Sequence, residues 1–165
     1  MGATMPVAIN KNGGFTLIEM IVVVLMVGIL ASAAMPLAAL HKRRAQEAEL
    51  RQALRSLRTA IDTYKHAWDK GVIEKKAEES GYPPNLEVLV KGVVDASSPQ
   101  GSRLYFLRRL PRDPFADDAT VPAVDTWGLR SYASPPDAPM PGKDVFDVYP
   151  LHEGVAIDGT SYRDW

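Results

Sequence analysis

Gly13-Gly14-Phe15-Thr16-Leu17-Ile18-Glu19 leads directly into an apolar run that lasts to Leu40. From Met20 to Leu40 no side chain is charged, and most are Val, Ile, Leu, Met or Ala. About 20 such residues, wound as a helix, cross about 30 Å of hydrocarbon. A helix is also the form in which each backbone N–H and C=O finds a partner inside lipid. Glu19 sits in the first turn of this run, where a carboxylate is costly and calls for a compensating group. The residues alone leave three readings open. One is a secretory signal peptide, with Lys11 as its basic flank and Ala31-Ser32-Ala33 as a small-residue cut site. Another is a plain uncleaved anchor. The third is a short polar leader ending at Gly14, ahead of a helix that carries one deliberately placed acid.

The combination of Gly13-Gly14, Phe15, Glu19 and a spanning length resembles the type IV prepilin signal shared by pilins and type II secretion pseudopilins. The resemblance covers residues 11 to 44. It implies that a membrane peptidase cuts between Gly14 and Phe15 and methylates the new amino terminus of Phe15. Residues 1–14 are then a leader, 15–40 a transmembrane and assembly helix, and 41–165 a periplasmic domain. Pro36 removes one helical N–H and crowds the carbonyl four residues earlier, and Gly28 is a second weak point. Gly and Pro are also simply commoner in membrane helices. The resemblance implies that the helix loosens at Gly28 and Pro36 when subunits pack into a filament.

With 165 residues and a formal net charge of −1, the chain has length for one domain besides its membrane segment. About 125 residues remain for that domain, enough for a modest core. The near-neutral total hides an asymmetry: Lys42, Arg43, Arg44, Arg51, Arg55 and Arg58 face only Glu47 and Glu49 in the stem. From Asp113 onward acids outnumber Arg130, Lys143 and Arg163. Lys42, Arg43 and Arg44 just beyond the span would by the positive-inside rule hold the following domain in the cytoplasm. The prepilin resemblance implies the opposite orientation. There is no cysteine, so no disulfide supports the domain; within the resembled family this favours a major-type pseudopilin over a disulfide-closed pilin.

Leu50, Leu54, Leu57, Ile61, Tyr64 and Trp68 recur at steps of four and three, predicting an amphipathic helix over 41–70 that packs on the chain's own sheet. Arg51, Arg55 and Arg58 form a neighbouring row expected to stay wet. Gly71 is the stop. Residues 71–126 read as a connecting loop with a helical turn or two near Leu86–Val90, capped close to Asn85. Tyr82-Pro83 and Leu110-Pro111-Arg112-Asp113-Pro114-Phe115 resemble the connector of major pseudopilins, and the prolines exclude a central strand there. Residues 127–165 hold the small β-sheet and a carboxy-terminal loop. Trp127–Tyr132 and Asp144–Tyr149 are expected to pair antiparallel, with Phe146 and Val148 on one face and Val145, Asp147 and Tyr149 on the other. Val155-Ala156-Ile157 is a candidate third strand before the Asp158-Gly159 turn, and Tyr162 and Trp165 are expected to pack back on the domain. The fold class is therefore α+β and type IV pilin-like: a long amino-terminal helix, half membrane-bound and half amphipathic, on a small antiparallel sheet.

The resemblance implies that the Glu19 carboxylate meets the methylated amine of an adjacent subunit. It implies calcium as the one candidate cofactor, in the carboxy-terminal loop, where Glu153, Asp158 and Asp164 are the weak candidate ligands; Asp117, Asp118 and Asp125 are more remote ones. His41, His66 and His152 lack ligand spacing, and no phosphate loop, nucleophile elbow or metalloprotease signature occurs, so no enzyme is expected. The basic row can touch phosphates, but anionic headgroups are the simpler partner and nucleic acid is not expected. The implied role is a subunit of the type II secretion pseudopilus, polymerised with other pseudopilins, processed by prepilin peptidase and recruited by the inner-membrane assembly platform. The alternative is a type IV pilin or competence pseudopilin for adhesion, motility or DNA uptake.

Overall fold

Helix α1, Leu17–Asp69, begins at Thr16, whose hydroxyl oxygen accepts from Glu19 N at 3.3 Å while its carbonyl accepts from Met20 N at 3.2 Å. In this computed structural model residues 14–75 and 79–165 are described. Of the leader expected over 1–14, all but Gly14 lies outside them, as do residues 76–78 of the connecting loop. The chain divides into two compact units between Lys42 and Arg43, and each is taken by itself.

In the first unit, α1 carries the apolar run. An 18-residue window of it has a mean hydropathy of 2.6, long and apolar enough to cross a membrane. Phe15 is 78% exposed and Leu17 81%, and the large apolar side chains described from there to Leu40 are exposed as well. So large an apolar surface is not kept in water by a monomeric soluble protein. Gly28 and Pro36 both lie inside the helix.

In the second unit, the expected stripe of α1 is the core. Leu50, Ala53, Leu54, Leu57, Ala60, Ile61 and Tyr64 are buried, in one cluster with Leu86, Leu89, Trp127, Val145, Val148, Ala156 and Tyr162. Each fully buried Leu or Ile in such a cluster contributes about 1.5–3 kcal/mol relative to exposure. The helix ends because Gly71 adopts φ +74° and donates to Trp68 O, while Val72 donates to Ala67 O, both at 2.9 Å. Paired bonds of this kind close the last carbonyls around a left-handed residue that glycine adopts without strain.

The region expected as a connecting loop, 71–126, holds more structure than predicted. Helix α2, Glu87–Lys91, is capped by Asn85 Oδ1, which accepts from Val88 N at 3.1 Å. It stops at Gly92 (φ +72°), where an added Cβ would stand 2.6 Å from Leu104 O. Only a residue without a Cβ lets the chain enter the next pair so closely. That pair is β1, Val93–Val94, and β2, Arg103–Leu104, antiparallel with Val93 opposite Leu104. The Leu110–Phe115 segment forms no strand. Its Pro111 O accepts from Trp127 Nε1 at 2.9 Å, and Asp113 Oδ1 accepts from Phe115 N at 2.8 Å.

The second antiparallel pair is β3, Trp127–Arg130, with β4, Asp147–Pro150, in the register Gly128 opposite Tyr149 and Leu129 opposite Val148. The Tyr149 ring lies over Gly128 so closely that a Cβ there would be 2.2 Å from it. Both strands are shorter at the loop end than the sequence predicts, because Ser131 N donates to Met140 O and Val145 N to Pro83 O. Val145 therefore leaves the ladder and is buried in the same core cluster as Val148, where alternation would have parted them. The candidate third strand shrinks to one bridge, Val155 with Ser161, around the Asp158-Gly159 turn. The result is α+β as expected, with two two-stranded sheets among the described residues rather than one.

Candidate functional site

The first candidate site is the head of α1. Gly14, Phe15 and Glu19 are all exposed, and nothing lies within 4 Å of where a Gly14 or Gly28 Cβ would be. Thr16-Leu17-Ile18-Glu19 has the spacing of a capping box, in which the first residue caps the third helical N–H. That role was missed in the sequence, although Thr three residues before Glu is a legible signal. A carboxylate in the first turn also meets the positive end of the helix dipole. Among the described residues none donates to or pairs with the Glu19 carboxylate. From Phe15 to Leu40 the chain thus presents an apolar rod whose one charged side chain is Glu19, at its amino-terminal end.

The second feature lies in the other unit, where α1 meets the carboxy-terminal segment. Glu47, 8% exposed, accepts from Tyr162 Oη at 2.8 Å and from Ile157 N at 2.9 Å, with Arg43 Nε 3.7 Å away. Arg43 also donates to Val155 O and, at 3.4 Å, to Tyr162 Oη. Burial pushes the Tyr162 hydroxyl above its ordinary pKa; the Arg43 bond opposes the rise and Glu47 adds to it. Arg51 donates to Asp158 Oδ2 at 3.0 Å, with its guanidinium 4.0 Å over the Trp165 ring. Arg58 donates to Asp147 Oδ1 at 2.7 Å, Val148 O at 3.2 Å and the main-chain oxygen of Trp165 at 2.6 Å. Arg51 and Arg55 stay exposed as expected and Arg58 is half-exposed, but Arg51 and Arg58 are also bonded to β4 and the segment that follows it, which the sequence does not show.

The calcium candidates do not come together. Asp158 Oδ1 accepts from Thr160 N at 3.0 Å and Thr160 Oγ1 at 2.6 Å, and its other oxygen is taken by Arg51. Those bonds, Thr160 first, hold its carboxyl below the ordinary range. Glu153 and Asp164 are exposed. Asp118, one of the more remote candidates, likewise accepts from Thr120 N at 2.8 Å and Thr120 Oγ1 at 2.6 Å. Among the described residues no three acidic or histidine side chains converge as a metal would require. Calcium takes six to eight oxygens, and this donor set does not fit it.

A third acid organises the loop between the sheet strands. Asp144 Oδ1 accepts from Ser131 Oγ at 2.7 Å and Tyr132 N at 2.9 Å, and Oδ2 accepts from Ser80 Oγ. Burial alone would raise its pKa, but the three bonds outweigh it and hold the carboxyl below the ordinary range. A depressed carboxyl stabilises the fold fully above the unfolded-state pKa, and that contribution is lost as pH falls through the lowered value. Asp144→Ala is expected to cost about 2 kcal/mol at neutral pH. Urea melts of parent and variant should show the gap closing on acidification; a gap constant through the carboxylate range would rule this out.

A family model described as the prokaryotic N-terminal methylation motif matches residues 9–35. Over 139 residues the chain is 30% identical to the type II secretion system core protein G of Klebsiella michiganensis, covering 82% of this chain and 90% of that one. It is 29% identical over 164 residues to the protein of the same name from Vibrio cholerae, covering 94% and 93%. The Dickeya chrysanthemi protein of that name is 30% identical over 140 residues, covering 82% and 84%. No solved structure matches the chain.

Proposed function

Because this chain belongs to the type II secretion system core protein G family, we propose that it is the structural subunit of a secretion pseudopilus in its host. The observation that carries the reading is the exposed apolar run of α1 headed by Gly14-Phe15 and Glu19, whose head lies within the matched methylation motif. We propose that the chain crosses the inner membrane once, with its carboxy-terminal domain on the periplasmic side. A prepilin peptidase cuts after Gly14 and methylates Phe15, and the subunit is drawn from the membrane by the assembly platform. The exposed apolar rods then bury one another in the filament, each Å² of apolar surface contributing about 25 cal/mol. Glu19 faces the methylated amine of a neighbouring Phe15, and Gly28 and Pro36 let the helix loosen as it packs. Desolvating two ions offsets much of their attraction, so the pair serves register more than net stability. The reading assigns no catalytic step.

Deleting the gene is expected to strand secreted enzymes in the periplasm while leaving long retractable surface fibres untouched. Loss of such fibres with normal export would instead favour the adhesion, motility or DNA-uptake reading.

A further inference from the structure

The misfit between this chain and calcium has a physical counterpart: Arg51 and Arg58, carried by α1, themselves donate to carboxylate and main-chain oxygens of the carboxy-terminal part. We propose that Arg51 and Arg58 stand in for a divalent cation in fastening the carboxy-terminal segment, so that this unit folds and holds its shape independently of calcium. The spacing supports it. Arg51 and Arg58 are seven residues apart, two turns of helix or about 10 Å, on one side of α1. Arg58 gathers one carboxylate oxygen and two main-chain oxygens, those of Asp147, Val148 and Trp165, onto one guanidinium. These are the hard oxygens that calcium takes. They lie on both sides of the segment, at β4 and at Trp165, so a single planar group ties its two ends. A guanidinium offers five donors in a fixed fork and cannot lose its proton.

Arg51 secures the turn between those ends. It lies against the Trp165 ring and donates to Asp158, whose other oxygen holds Thr160 across Gly159. Each ion pair alone is modest, since the side chains of Arg51 and Asp158 are 49% and 50% exposed and those of Arg58 and Asp147 38% and 31%. The charge-assisted bonds to main-chain oxygens add to them. The thermodynamic consequence is distinct. A bound ion stabilises in proportion to the logarithm of its free concentration, whereas a tethered guanidinium has no such dependence. The clasp should answer to ionic strength, which screens half-exposed pairs, and not to chelators.

The test uses the full chain in detergent. Millimolar calcium and excess chelator are each expected to leave Tm within about 1 °C, where a site filled a hundredfold over its Kd would add several degrees. Arg58→Ala is expected to speed amide exchange across residues 155–162 about tenfold, with only partial recovery in Arg58→Lys, which lacks the fork. Should Arg58→Ala fail to fold, the half-exposed Arg51→Gln is expected to raise the same exchange about threefold. A calcium-dependent rise in Tm with one ion bound per chain by calorimetry would overturn the proposal. So would unchanged exchange in Arg51→Gln.

Discussion

Glu19→Val is expected to leave cleavage of the precursor intact and to abolish both filament assembly and export. Residue 19 contributes in two ways: its backbone N–H is held by the Thr16 cap, and its side chain carries the charge. Thr16 Oγ1 accepts from Glu19 N, so Glu19 occupies the third helical position of a capped start. Capping interactions are worth about 0.5–2 kcal/mol, and a membrane segment of this hydropathy does not depend on them to remain helical. The cap bond is donated by the backbone N–H of residue 19, so it survives in Glu19→Val and predicts no defect of its own. Loss of the charge predicts a complete one: in a stack of apolar rods nothing else marks the axial offset between neighbours, because Met20–Leu40 bears no charge. Glu19→Gln isolates the charge. Glutamine keeps the length and polarity of glutamate but carries no negative charge to match a cationic amine. Export at least tenfold below the parent in Glu19→Gln, with the mature chain present in the membrane, is the expected result. Normal export in Glu19→Gln but not in Glu19→Val would assign the residue to side-chain polarity or volume and refute the register role. Mass spectrometry of the mature amino terminus checks the processing arm, an N-methylated Phe15 being expected in both variants.

The two halves of α1 were legible for different reasons. The apolar run announces itself by length and absence of charge, and the amphipathic half by a period that maps onto buried Leu50, Leu54, Leu57, Ile61 and Tyr64. Both are local signals. The β1–β2 pair was not legible, because two-residue strands carry no alternation. Nor were the arginine contacts, whose partners lie about ninety or more residues away, so that nothing beside Arg51 or Arg58 points to them. The acidic tail was read as a possible ligand set because composition counts carboxylates without saying what already holds each one. The short strands failed for a related reason: β propensity in Asp144–Tyr149 is genuine, but Pro83 O claimed the Val145 N–H first. Glu47 is the instructive miss. It stands three residues before Leu50 and so falls in the stripe's own rhythm of three and four. A carboxylate at an apolar position of a helix is a signal of a buried polar contact, the same kind of signal that singled out Glu19.

Glu47→Ala is accordingly expected to destabilise the second unit by about 3 kcal/mol, the larger of the stability effects argued for this chain. The alanine removes one acceptor oxygen that serves both Tyr162 Oη and Ile157 N. Tyr162 is 1% exposed and boxed in by Phe115, His152 and Trp165, with ring centroids 4.7, 5.8 and 5.0 Å away. Its hydroxyl keeps only the long Arg43 contact, in which it is the acceptor and not the donor. A buried donor left without an acceptor bears its full desolvation penalty, and Arg43 loses its near-neighbour carboxylate as well. Against a total stability of about 5–15 kcal/mol, such a loss should lower Tm by roughly 10 °C. Glu47→Gln keeps an oxygen acceptor in the same place and gives up only the half-exposed pair with Arg43, so its cost should stay below about 1 kcal/mol. Thermal melts of the full chain in detergent decide between charge and hydrogen bonding: a large drop in Ala with near-parental Gln is expected. Equal drops would mean that the Arg43 charge pair, not the shared acceptor, holds the carboxy-terminal segment to α1. Near-UV circular dichroism should lose the Tyr162–Trp165 signature in the alanine variant before global unfolding, because the segment bearing both rings is released first.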